Sequence, residues 1–135
     1  MSIPSPINIG WARTQKDYRL AQGSYGEVSL TVKAIRSDGT PYPTYTGFTG
    51  VLSIYTLSER LIATLSTDDT SIVITPSPST QEITIKIIFN SNTTLLFPSD
   101  TDLIGDLLII CPDGIEKQYP FQMKLRVFRT YTRIE

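Results

Sequence analysis

The clearest alternation of apolar and polar positions lies at Glu82–Phe89, written Glu-Ile-Thr-Ile-Lys-Ile-Ile-Phe. Ile83, Ile85, Ile87 and Phe89 alternate with Glu82, Thr84 and Lys86, and Ile88 alone breaks the pattern. Successive strand side chains point to opposite faces, so this stretch predicts a half-buried β-strand, central in its sheet. Residues 27–36 repeat the pattern. There Val28, Leu30, Val32 and Ala34 alternate with Glu27, Ser29, Thr31 and Lys33, and Asp38-Gly39 then offers the positive φ of a tight turn. Residues 121–127 do so again, with Phe121, Met123, Leu125 and Val127 against Gln122, Lys124 and Arg126.

Weaker signals fill the gaps. Tyr18 and Leu20 predict a short first strand closed by Gly23-Ser24-Tyr25-Gly26, and residues 48–56 and 61–65 read as a hairpin across a polar link. Residues 41–47 carry Pro41 and Pro43, so this segment is expected to cross between sheets or run along an edge. Residues 66–71 read as a turn and 72–74 as a short strand closed by Pro76-Ser77-Pro78-Ser79. Asn90 to Thr94 reads as a loop, residues 95–105 fit irregular coil or a helical turn, and a strand is expected at 106–111. Asp113-Gly114 then turns the chain back into a strand at 115–119, interrupted by Pro120.

About eight short strands at roughly ten-residue spacing, with no sustained helical period, predict an all-β antiparallel sandwich. Prolines at the ends of runs suit open sheets with protected edges better than a closed barrel. Pro4, Pro6 and Gly10 argue against a helix or central strand in residues 1–15, which are expected to form an extended N-terminal arm. The sandwich domain is assigned to residues 16–128 and a tail to 129–135. Removal of residues 1–15 is expected to leave the domain folded.

Composition supports a folded domain and narrows its partners. With 135 residues, 40% hydrophobic and 19% charged, the chain can bury a core without disulfide or metal. Lys+Arg 12 against Asp+Glu 13 gives no overall attraction to nucleic acid or an anionic membrane, so proteins are the expected partners. The single Cys111 ends an apolar run and is expected to be a buried, inert thiol, which fits folding in a reducing compartment. The N-terminus has neither a basic region nor a long apolar one, and a soluble protein without an export signal is expected.

Candidate chemistry is sparse. The chain has no histidine, which excludes Ser-His-Asp and Cys-His catalysis and imidazole-ligated zinc. The run Asp100-Thr101-Asp102-Leu103-Ile104-Gly105-Asp106 starts like a calcium loop. It then places Ile104 and Cys111 where ligands are needed, so it reads as a solvated turn. No carboxylate pair stands out for glycoside hydrolysis, and no Gly-Lys-Ser/Thr marks a phosphate loop. An enzyme is not expected, and neither a cofactor nor a metal. Asn92-Thr93-Thr94 matches a glycosylation acceptor by chance.

Aromatic residues at the two ends are the candidates for partner contact: Trp11 in the arm, and Phe128, Arg129 and Tyr131 near the C-terminus. Trp11 has two readings, packing back on its own domain or anchoring the arm on a neighbouring subunit. The basic residues among them are read as water-facing strand positions rather than a nucleic-acid patch. Tyr42, Tyr45 and Tyr55 offer a further possibility, an aromatic platform for a carbohydrate.

The order of segments adds a resemblance. An early strand at 27–32, Asp38-Gly39-Thr40-Pro41, Thr46-Gly47 leading through Leu52, the stretch 96–110 and a late hairpin through 114–127 together resemble the N-terminal domain of phage upper baseplate proteins and related tail-fibre adaptor domains. The resemblance implies an immunoglobulin-like sandwich that is a non-enzymatic virion component, assembled in the bacterial host cytoplasm. It implies contacts with other virion proteins, as a homo-oligomer or part of a larger assembly, and no nucleic acid or membrane partner. With the sequence ending at Glu135, an adaptor role in tail, baseplate or fibre is expected ahead of receptor binding, with capsid decoration or a head fibre as the alternative.

Overall fold

The alternation at residues 82–89 becomes the middle strand of a small sheet. The computed structural model describes residues 11, 13–36 and 39–130, and its strands are β1 (Thr14–Ala21), β2 (Gly26–Lys33), β3 (Thr49–Thr56), β4 (Leu61–Ser66), β5 (Ile72–Ser77), β6 (Glu82–Phe89), β7 (Thr101–Ile110) and β8 (Lys117–Phe128). One sheet runs β2-β6-β5 and the other β1-β8-β7-β3-β4. Strands β2, β6 and β5 occupy the places of B, E and D in an immunoglobulin-like sandwich, and β8, β7, β3 and β4 those of G, F, C and C′. Residues 41–48 cross from the first sheet to the second, one of the two courses their prolines allow.

The inner faces meet in one core. Ile83, Ile85 and Ile87 of β6 are fully buried, and they cluster with Leu52 and Ile54 of β3, Leu103, Leu107 and Ile109 of β7, and Phe121, Met123 and Val127 of β8. Each such side chain contributes roughly 1.5 to 3 kcal/mol of burial free energy before the cost of ordering. Close approach needs an absent side chain at Gly105. A Cβ there would lie 2.8 Å from Met123 Cγ, so Gly105 lets the β8 methionine fill the core.

Five elements depart from the sequence expectation, the first being β5, which runs through Pro76 to Ser77, as an edge strand allows, rather than closing after residue 74. Strand β7 starts at Thr101 rather than at residue 106, because Leu103, Gly105, Leu107 and Ile109 alternate inward along its whole length. Its carboxylates, which resembled a solvated turn, sit on the outer face: Asp102 pairs with Lys124 at 3.7 Å and Arg126 at 3.4 Å, and Asp106 with Arg13 at 3.1 Å. Strand β8 runs unbroken through Pro120. The ladder with β7 shifts register between Leu107 and Ile109, and β1 begins only opposite Phe121, so the missing N–H falls at a bulge beyond reach of β1.

The helical turn also lies earlier than expected, at α1 (Ser91–Leu95), where Asn90 Oδ1 accepts a hydrogen bond of 2.8 Å from the Thr93 N–H and caps it. Strand β1, finally, is longer than Tyr18 and Leu20 suggest and pairs with β8 in parallel, whereas the other strand pairings among the described residues are antiparallel. The folded domain therefore reaches back into the segment expected to be an arm.

Candidate interaction surface

Most of the exposed apolar side chains gather at one end of the sandwich. Of nine exposed large hydrophobic residues among those described, six lie where β1 turns into β2, β3 into β4, α1 into β7, and the chain leaves β8: Tyr25, Leu57, Leu61, Leu95, Leu96 and Phe128. Hydrogen bonds tie these segments together. The Thr94 hydroxyl donates to Ser24 O at 2.7 Å, the Gln22 side-chain amide to Phe97 O at 2.7 Å, and the Gln22 N–H to Phe128 O at 2.9 Å. Leu96 and Pro98 share a groove with Thr56, Arg60, Leu61 and Ile62 of the β3–β4 hairpin.

Short chemistry explains why these side chains are left outside. The capped turn of α1 buries Thr94 and, two residues after its end, Phe97, which stacks edge-on against Phe89 at 6.5 Å between ring centres. Leu95 and Leu96 lie between these two anchors and must point outward, at 60% and 74% exposure. Charged groups rim the patch. The Arg19 guanidinium sits 5.9 Å from the Phe128 ring centre, and Arg129 reaches Asp100 at 3.8 Å and Ser99 Oγ at 3.3 Å. The Tyr25 hydroxyl bonds Glu27; this contact raises the phenol pKa and, with Lys86, holds the Glu27 carboxyl below its ordinary value.

The residues singled out in the sequence divide between the two ends. Phe128 and Arg129 lie on this apolar end. Trp11 lies at the other, where its backbone N–H donates to Gln118 Oε1 at 3.1 Å, its indole N–H to Ile35 O at 3.0 Å, and its ring packs on Phe48 at 6.1 Å. These contacts are all within its own domain. Tyr131 falls outside the described residues. The sequence reading missed Leu57, Leu61, Leu95 and Leu96; the run Leu95-Leu96-Phe97-Pro98 after a polar loop was the available signal, since a turn so short can bury only part of it.

The sugar platform does not form. Tyr42 and Tyr45 are 5% and 7% exposed, in the core beside Phe48, while Tyr55 lies on the outer face of β3 opposite Ile104. The Tyr42 hydroxyl lies 2.7 Å from Glu116 Oε2 and 3.3 Å from Cys111 Sγ, and Tyr45 donates to Ala34 O at 3.1 Å. Burial pushes the Cys111 thiol up, as it does the Tyr42 phenol. Among the described residues no three His, Cys, Asp or Glu side chains group as metal ligands, and no helix is long and apolar enough to cross a membrane.

The class this geometry defines is an immunoglobulin-like β-sandwich with an apolar end and two unequal sheets. Compared with models of known protein families and with curated proteins, the sequence matches none.

Proposed function

We propose that this domain is a non-enzymatic structural component of a phage virion, an adaptor that joins tail, baseplate or fibre components through protein contacts. The observation that supports an assembly role is the apolar end of the sandwich, where Leu57, Leu61, Leu95, Leu96 and Phe128 project into solvent around charged side chains. Apolar groups gathered in this way mark surfaces that meet other proteins. Support for the phage setting comes from the order of segments, from Asp38-Gly39-Thr40-Pro41 to the late hairpin, which resembles the baseplate and fibre-adaptor domains. The partners are then other virion proteins, and the domain takes its place in the particle during assembly in the host.

The test is a double substitution, Leu95→Asp with Leu96→Asp. Both side chains are exposed, so folding stability should change by no more than about 0.5 kcal/mol each. The variant is expected to fold, as read by circular dichroism and thermal unfolding, and to be lost from purified particles. Incorporation at the normal level would overturn this role for the apolar end. Imaging of particles carrying labelled wild-type protein separates an adaptor in tail, baseplate or fibre from the alternative of capsid decoration.

A further inference from the structure

Among the described residues the sandwich has four edge strands, and three of them carry a proline, an irregularity or an inward charge against pairing with another chain. Strand β5 contains Pro76, and β4 is short and irregular, with a register shift opposite Ile54 and Tyr55. Strand β1 places the charged Lys16 on its core-facing side, opposite buried Met123. Proline, irregularity, short length and an inward charge are the usual means of keeping an edge unpaired. Strand β2 has none of these, and of the edge charges that also discourage pairing it has only Glu27 and Lys33, one near each end. It is eight residues long, contains no proline, and keeps one register with β6 from Gly26 to Lys33.

Its free hydrogen-bonding groups can be assigned. The Ala34 N–H donates toward the β6 side, to Gln81 O, and the Ile88 N–H toward β5, to Ser71 O. Parity then directs the backbone groups of Val28, Leu30 and Val32 to β6, and those of Glu27, Ser29, Thr31 and Lys33 to the open edge. Among the described residues no strand pairs there. The apolar side of the edge is also incompletely covered, since Val28, Leu30 and Val32 are half-buried while their partners Ile87, Ile85 and Ile83 are fully buried.

We propose that the open edge of β2 pairs antiparallel, about a two-fold axis at Leu30, with β2 of a second copy of this chain. In this register Glu27 lies opposite Lys33 of the second copy, Ser29 opposite Thr31, Val28 opposite Val32, and Leu30 opposite its own counterpart. All four outward-bonding residues of each copy are used, which makes about eight backbone hydrogen bonds between copies. A shift of two or four residues either way parts Glu27 from Lys33 of the second copy, and a shift of six sets Lys33 or Glu27 against its own counterpart. The edge is therefore complementary to itself in hydrogen bonding, charge and apolar contact, as an isologous two-fold contact requires. The two small sheets join into one six-stranded sheet, β5-β6-β2 continued by its symmetry mate. This contact adjoins the apolar end only at Glu27, which Tyr25 bonds, and does not depend on the role proposed for that end.

The experiment is sedimentation velocity on the full chain over a range of concentration. Wild-type protein is expected to form a dimer. Ser29→Pro removes an N–H that points to the open edge, not to β6, and is expected to leave a folded monomer. Glu27→Lys sets Lys against Lys33 of the second copy, and Lys33→Glu sets Glu against Glu27. Each alone should weaken dimerisation roughly tenfold or more, given two cross-strand pairs per dimer. An equimolar mixture of these two variants restores both opposite-charge pairs and is expected to dimerise again. Wild-type protein that stays monomeric throughout would overturn the proposal. So would a dimer indifferent to Ser29→Pro and to the charge exchange. The surface variants Glu27→Lys and Lys33→Glu keep the test decisive should Ser29→Pro fail to fold.

Discussion

Asp69 shows how a single side chain sets a turn. Its Oδ1 accepts from the Ser71 N–H at 2.9 Å, from the Ser66 N–H at 3.4 Å and from the Ser71 hydroxyl, closing the β4–β5 connection. These bonds favour the ionised form, the Ser71 hydroxyl most, and lower the carboxyl from its ordinary value of 3.8. A carboxyl lowered in the folded state stabilises the fold above its unfolded pKa, and that contribution is lost as pH falls through the folded value. Asp69→Asn is therefore expected to lower stability at neutral pH by less than about 1 kcal/mol, as for other solvent-facing hydrogen bonds. The difference from wild type should narrow in acid. Urea unfolding at neutral and at acidic pH measures both.

At the scale of the element, what could be read from the sequence depended on how cleanly each strand separates its faces. Strand β6 was fully legible, because four large apolar side chains at alternate positions have no other way to be buried. Its centre is also the most sensitive point in the core. Ile85→Asp would place an unpaired carboxylate at a position with no exposure and is expected to unfold the domain, a loss above about 4 kcal/mol. Soluble, cooperatively unfolding Ile85→Asp protein would show otherwise. Strand β7 was half hidden because Asp102 and Asp106 are poor strand formers in isolation, and only Lys124, Arg126 and Arg13 across the sheet make their positions favourable. The pairing of β1 with β8 was not legible, since it joins residues about a hundred positions apart. Of the apolar end, Phe128 could be singled out from the sequence. Leu95 and Leu96 were legible only as part of the run Leu95-Leu96-Phe97-Pro98, and which of its residues stay outside follows from α1 burying Thr94 and Phe97.

For the whole molecule, the main addition concerns Trp11 and residues 13–15, which are part of the folded domain. Trp11 packs on Phe48 and bonds Ile35 and Gln118, and Thr14 and Gln15 open β1. Removing residues 1–15 is thus expected to destabilise the domain by about 2 kcal/mol, less than for a fully buried tryptophan, while leaving it folded. A lowered midpoint in thermal unfolding is the readout, and Trp11→Ala alone should account for most of the loss.

The parallel pairing of β1 with β8 has a mechanical consequence. Thr14 lies beside Phe121 and Ala21 beside Phe128, so the chain enters the domain at one end of this ladder and leaves it at the other. Tension between the two ends would slide the strands past each other and load the rungs of the ladder together, whereas a peeling geometry breaks them one at a time. The strand pair at this edge of the larger sheet is oriented to resist being pulled apart lengthwise.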